Sequence, residues 1–138
     1  MFALAKESGL GWSTCSIDDS SGTARAIVND FTNISFATPR GVQDVTGIDK
    51  SAYERLLLLA DATFEGTIVF NDAANQSHDV FKTVPSSSVQ RTVTLTVSGQ
   101  TLANEMIFTD YPLARAASGE LTATVPGQLA NGAVPTWA

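Results

Sequence analysis

The sequence holds one histidine and one cysteine, and their neighbours bound the chemistry it can do. His78 stands between Ser77 and Asp79, a run that contains the side chains of a hydrolytic triad. Consecutive residues on a helix point in different directions, so these three cannot converge on one reacting atom. Cys15 acts as a nucleophile only where a base meets it in space; a small buried cysteine is the simpler reading. As the sole cysteine it cannot form an internal disulfide, which fits a fold made in a reducing compartment. Asp18, Asp19 and Asp30 offer oxygens to a hard cation, but "IDDSSG" lacks the ligand spacing of a calcium loop and reads as a polar turn. The patterns G-x-S-x-G, Walker A, G-x-G-x-x-G and H-E-x-x-H are absent. The expectation is a protein without catalysis, cofactor or metal. The triplets at Asn33 and Asn75 match a glycosylation pattern short enough to arise by chance.

Composition narrows the class further. Eight basic and fourteen acidic residues give a net charge of −6, with neither sign gathered into a run. Tight nucleic-acid binding needs a basic surface, so it is not expected; a neutral or acidic wall would let nucleic acid slide past. The longest apolar run, Leu56 to Ala60, is five residues, far below the 18 or so of a membrane-spanning helix. The opening residues "MFALAKESGLG" place Lys6 and Glu7 among apolar positions and do not read as a leader, so cytosolic synthesis is expected. A chain of 138 residues is most simply one domain that buries roughly two-thirds of its unfolded surface.

The elements that must position these side chains are mostly strands. In 62–70, Phe64, Gly66, Ile68 and Phe70 share one face, and Thr63, Glu65, Thr67 and Val69 the other. In 90–98, Val93, Leu95 and Val97 oppose Thr92, Thr94 and Thr96. Threonine suits a pleated, half-exposed surface. Further strands are expected over 13–17, 24–28, 32–37, 102–109 and 120–125, each bounded by Gly, Pro, Asp, Asn or Ser. Short strands at this spacing predict an all-β sandwich or barrel. One helix is expected over about 77–84, with Asn75 or Ser77 as its cap, Val80, Phe81 and Val84 as its apolar stripe, and Pro85 as its stop.

"TPRGVQDVTGIDKSAYERLLLLAD", residues 38–61, gives two conflicting signals. Ser51 to Glu54 fit a capping box and Tyr53, Leu56, Leu57 and Ala60 one helical face, yet the segment is as short as a strand buried on both sides. Periodicity alone leaves helix and strand open. Arg40 and Arg55 lie near Asp44, Asp49 and Glu54, either a solvated mixture or ion pairs across a subunit boundary. Trp137, beside the final residue, suggests a tail that docks on its own domain or on a neighbour.

Taken in order, "IDDSSG", "ISFATPRGVQDVTG", "SAYERLLLLAD", "FNDAANQSHDVFKTV" and "IFTDY" resemble the tail tube (major tail) proteins of siphovirus-type bacteriophages, particularly those infecting actinobacteria. The likeness runs from about Cys15 to Trp137; no single motif is diagnostic, and the ordered set carries it. The resemblance implies a mainly β subunit, a β-sandwich or half-barrel with one short outer helix. Six copies would close into a ring, inner sheets joining into a β-barrel around a lumen, and rings would stack into a tube that carries DNA during genome ejection. It further implies a single domain with an N-terminal arm (1–11), an inter-subunit loop (38–50) and a C-terminal arm (127–138). Partners would be other copies, a tape measure protein and tail-tip or terminator proteins, with DNA a non-specific passenger, in a virion tail made in the bacterial cytoplasm.

On this reading Thr63, Glu65, Thr67, Thr92, Thr94 and Thr96 are lumen candidates, and Arg40, Asp44, Asp49, Leu57, Leu59 and Trp137 interface candidates. The family layout also favours an extended form for 55–59. Leu56 and Leu58 would then face one way and Leu57 and Leu59 the other, one pair filling the core and the other covered by a neighbour. Aspartate at one pair would accordingly unfold the subunit, and at the other block assembly alone. The alternatives are a tail terminator or connector on the same fold, and a β-sandwich binding or adhesion module, which would need an exposed aromatic platform.

Overall fold

The computed structural model describes residues 6–138. Among these, ten strands and one short helix follow in the order β1 (Trp12–Asp18), β2 (Ala24–Ala26), β3 (Phe31–Ala37), β4 (Arg40–Asp44), β5 (Arg55–Ala60), β6 (Thr63–Val69), α1 (Ser77–Phe81), β7 (Arg91–Val97), β8 (Gln100–Phe108), β9 (Leu113–Arg115) and β10 (Leu121–Leu129). The mainly β expectation holds, and both clear alternations become strands within a residue of their expected ends. Residues 51–59 form no helix: β5 is extended from Arg55, and the capping-box residues lie in the loop before it. The stretch 38–50, expected as a loop, contains β4.

Eight strands form one antiparallel sheet in the order β2-β1-β7-β8-β10-β6-β3, with β9 added to β10. Its alternation sorts the side chains. Cys15, Ile17, Val93, Leu95, Met106, Phe64, Ile68, Ala123 and Val125 are buried on the inner surface, while the intervening threonines and serines face out. The sheet is strongly curved. Five strand spacings separate β1 from β3, about 24 Å in a flat sheet. Yet Trp12 of β1 and Phe31 to Ile34 of β3 line one small hollow. The sheet therefore rolls into a nearly closed half-barrel around a single core.

Local sequence explains two features of the roll. A side chain at Gly66 would collide with the ring of Phe31, which packs across β6 and meets Phe64 edge-on at 5.8 Å between ring centroids. Pro126 stands within β10, between the ladder to β9, which ends at Ala123, and that to β8, which begins at Gly127. Odd-numbered residues of β10 bond toward β6, as Leu121 and Leu129 do, so the Pro126 nitrogen faces the interval with no neighbour and breaks no ladder bond.

Helix α1 closes one end of the roll. β1, β6 and β8 finish at that end, and β3, β7 and β10 begin there. Val80 and Phe81 are fully buried, with Phe81 edge-on to Phe108 at 5.3 Å. The helix ends at Phe81, and 82–86 continue as turns. Its cap is neither Asn75 nor Ser77. The buried carboxylate of Asp30 accepts from the Ser77 backbone N–H at 3.0 Å and from the Asn71 amide at 2.9 Å, replacing a local cap by one 47 residues away. At the other side of the helix the buried Arg91 donates to the carbonyls of Val80 and Asp18 and to the Thr83 hydroxyl, each at 2.9 Å. Its position, in phase with Val93 and Leu95, is the one sequence signal of its burial.

The "IDDSSG" segment is the turn it was expected to be. Asp19 accepts from the backbone of Ser21 and Thr23, the Ser21 hydroxyl and the Arg25 guanidinium. Desolvation opposes its charge, but these bonds prevail and hold the carboxyl down at about 2. A lowered folded value makes the contribution present above the ordinary carboxylate value near 3.8, and lost as pH falls through about 2. Asp19→Asn should therefore flatten the stability profile in that acid window, measured by denaturant unfolding at successive pH values. Gly66→Ala should cost about 1–3 kcal/mol in the same assay, because the overlapping atom is an aromatic ring in a packed core.

Candidate functional site

The side chains that could do chemistry are dispersed. Ser77 Oγ donates to the Val69 carbonyl, Asp79 accepts from the Asn75 backbone and Lys82, and His78 Nδ1 lies 3.1 Å from the Tyr111 hydroxyl with its ring against Phe70. No triad forms. Cys15 is buried in the core, and desolvation pushes its thiol up to about 12, far from a reactive thiolate. Among the described residues no three His, Cys, Asp or Glu side chains gather where they could hold a metal ion.

What stands out instead is a hairpin. β4 and β5 pair only with each other, apart from the rolled sheet. Val42 pairs with Leu57, Gln43 with Leu56 and Asp44 with Arg55, with a bulge next to Gly41. Arg40 clamps the base, Nε and one terminal nitrogen donating to the Leu58 carbonyl at 3.0 and 2.8 Å. At the far end Asp44 accepts from the Thr46 backbone and hydroxyl, bonds that hold its carboxyl below the ordinary range, and Glu54 accepts from the Gly47 N–H. The Arg55 guanidinium lies 4.6 Å above the Tyr53 ring. These polar bonds shape the arm without any core of its own.

Its apolar side chains are bare on both faces. Leu56, Leu57, Leu58 and Leu59 are 53, 61, 42 and 90% exposed, and Val42, Ile48 and Tyr53 are exposed as well. Neither leucine pair fills the subunit's core, which corrects the expectation that one would. The alternation is real, but the strand carrying it has left the sheet, so both faces wait for cover. Between the hairpin base and the tail at Val134 and Pro135 lies an open, largely apolar groove of about 860 Å³. Asp49 has only Lys50 beside it, at 3.9 Å, with both side chains exposed.

The C-terminal segment docks on its own domain. Residues 127–129, expected as part of an arm, complete β10; beyond them Ala130 donates to the Glu105 carbonyl and Ala138 pairs reciprocally with Thr101, so the tail runs beside β8. Trp137 remains half exposed over Val97 and Gln100. At the other terminus, Gly9 to Gly11 form a 3-10 turn capped by Ser8; the rest of the expected arm, 1–5, lies outside the described residues.

The six polar strand positions share the outer surface of the rolled sheet but not one direction. Thr63, Glu65 and Thr67 are on β6, and Thr92, Thr94 and Thr96 on β7, three ladders away around the roll. Five ladders bring the sheet almost back on itself, so three turn it by about half a circle. The two sets face away from each other, and a single axis can be lined by only one. Next to them run Asn33, Ser35, Thr122, Thr124 and Gln128 on the β6 side, and Thr14, Ser16, Thr101 and Glu105 on the β7 side. No lysine or arginine occupies an outward strand position on either wall.

All four leucines being exposed, single Leu→Asp changes at 56, 57, 58 or 59 should each leave the isolated subunit folded. Melting temperature and circular dichroism should match the parent, with stability within about 0.5 kcal/mol.

No protein-family model matches the sequence, and a search of curated proteins finds no match. The fold has neighbours among solved structures. A chain from the virion of a native gene transfer agent particle is similar with a TM-score of 0.74 at 14% identity, over 96% of this chain and 99% of that one. A chain from the tail of an empty gene transfer agent particle, a structure of C6 symmetry, is similar with a TM-score of 0.71 at 17% identity, over 96% and 99%. This chain therefore shares, over nearly its whole length, the fold of proteins built into a virion-like particle and its tail.

Proposed function

We propose that the chain is the structural subunit of a phage-type tail tube. Six copies form a ring, rings stack, and the resulting channel carries DNA toward the host cell. The observation that carries this reading is the hairpin: a two-stranded arm with apolar residues on both faces is stable in water only when other surfaces cover it. The fold shared with a chain of a six-fold symmetric tail supports the ring as the form of that cover. The arm over 38–61 and the docked tail then act as contacts between copies, with Arg40, Asp44, Asp49, Leu57, Leu59 and Trp137 at or near the boundaries.

The outer walls suit a conduit. Hydroxyls and amides with a few carboxylates, Glu65 and Glu105 among them, and no cation give phosphates nothing to grip, so DNA slides instead of binding. Whichever of the β6 and β7 walls faces the axis, its chemistry is the same. A tape measure protein would occupy the lumen before DNA, and tip and terminator proteins would close the ends, all in a virion tail assembled inside the bacterial host. No step of this role calls for catalysis.

Negative-stain electron microscopy of the purified protein tests the reading. Stacked rings with a central hole are expected, and Leu57→Asp or Leu59→Asp should raise the concentration at which they form while the subunit stays folded. A protein that remains a ~14 kDa monomer at high concentration would contradict the proposal.

A further inference from the structure

The rolled sheet has two unlike ends, and the exposed apolar residues divide between them. At one end lie the start of β1 with Leu10, the hairpin with Val42, Val45, Ile48, Tyr53 and its leucines, and the tail with Val134 and Trp137. The other end is closed by α1, and there β9 pairs with the first residues of β10. Leu121 pairs with Arg115, and Ala123 with Leu113, so Leu113, Arg115 and Leu121 share the inward face of the sheet beyond the point where the core stops. Leu113 is 47% and Leu121 38% exposed. The Arg115 side chain makes no hydrogen bond or ion pair with any described residue, whereas those of Arg25, Arg40, Arg55 and Arg91 each have a partner.

We propose that the hairpin of one copy docks on the Leu113–Arg115–Leu121 patch at the helix-capped end of another. This rests on the tube reading and names the surface that covers the arm. The occupant is a second copy because the two ends complement each other. The arm brings apolar side chains together with the carboxylates of Asp44 and Glu54. The patch offers apolar side chains around a cation with no partner of its own. Ends that differ in this way make a heterologous contact, which closes into a ring or repeats along an axis according to the rotation between copies; because arm and patch lie at opposite ends of the roll, this one repeats head to tail along it. The contact therefore acts between successive rings, leaving the closure of each ring to the flanks of the roll.

Two sets of variants test this, each checked for folding by circular dichroism. Leu113→Asp with Leu121→Asp removes the patch, and Leu57→Asp with Leu59→Asp removes the arm; in both, the changed residues are exposed in the subunit. Either double variant alone should raise the concentration needed for tubes by about tenfold or more, the scale of losing interface anchors. Mixed, the two should yield paired rings that do not extend, since one supplies a working arm and the other a working patch. Arg115→Glu should weaken stacking, and Arg115→Lys, which keeps the positive charge, should largely preserve it. Tubes formed at the parent concentration by the Leu113/Leu121 variant would overturn this assignment while leaving the tube reading intact. A parent protein that never assembles would overturn both.

Discussion

The placement of one short helix by two buried charges underlies the rest of the structure. A five-residue helix has no stability of its own in water. Asp30 receives its first turn and Arg91 ties its last to the ends of β1 and β7, and between them Val80 and Phe81 are pressed into the open end of the roll. Removing either charge would leave its partner groups buried without hydrogen bonds, a greater loss than the bonds themselves contribute. Because the plug sits at one end only, the subunit gains a direction. Every exposed apolar arm and tail lies at the opposite end.

The rolled sheet turns that direction into two chemically similar walls. Alternation along β6 and β7 buries Phe64, Ile68, Val93 and Leu95 and turns threonines outward on both sides of the core. A roll built this way has no wet and dry side; its strand walls are mainly polar all round, and most of its bare apolar side chains lie at its two ends. The net negative charge is carried mainly by turns and loops, where Asp72, Asp110 and Glu120 lie, so the strand walls themselves are weakly charged.

The sequence spoke clearly where one rule decided the outcome. Strict period-two patterns named β6 and β7 to within a residue, and "IDDSSG" named its turn, because local bonding suffices there. It was silent where distance decided. Nothing near Ser77 announces a cap supplied from Asp30, and nothing in "VPGQL" announces that β10 passes through a proline at the one interval without a neighbour. For the leucines, periodicity leaves helix and strand open and only the family resemblance favours the extended form that β5 takes; the half-buried expectation fails because a run apolar on both faces says that both need cover, but not where the cover comes from. The nine-residue β8 was legible, whereas β9, three residues long, carries no pattern that periodicity can detect.

The hairpin's detachment from the sheet has a consequence for how its sequence can change. Core residues such as Phe64 or Met106 must fit neighbours in the same chain, so a substitution there is judged as soon as the chain folds. The four leucines answer to nothing inside their own subunit. A change among them leaves folding untouched; on the proposed assembly it is judged only when copies meet, and is tolerated where the covering surface shifts with it. Two chains with this fold could thus share nearly every buried contact and still refuse to assemble with each other.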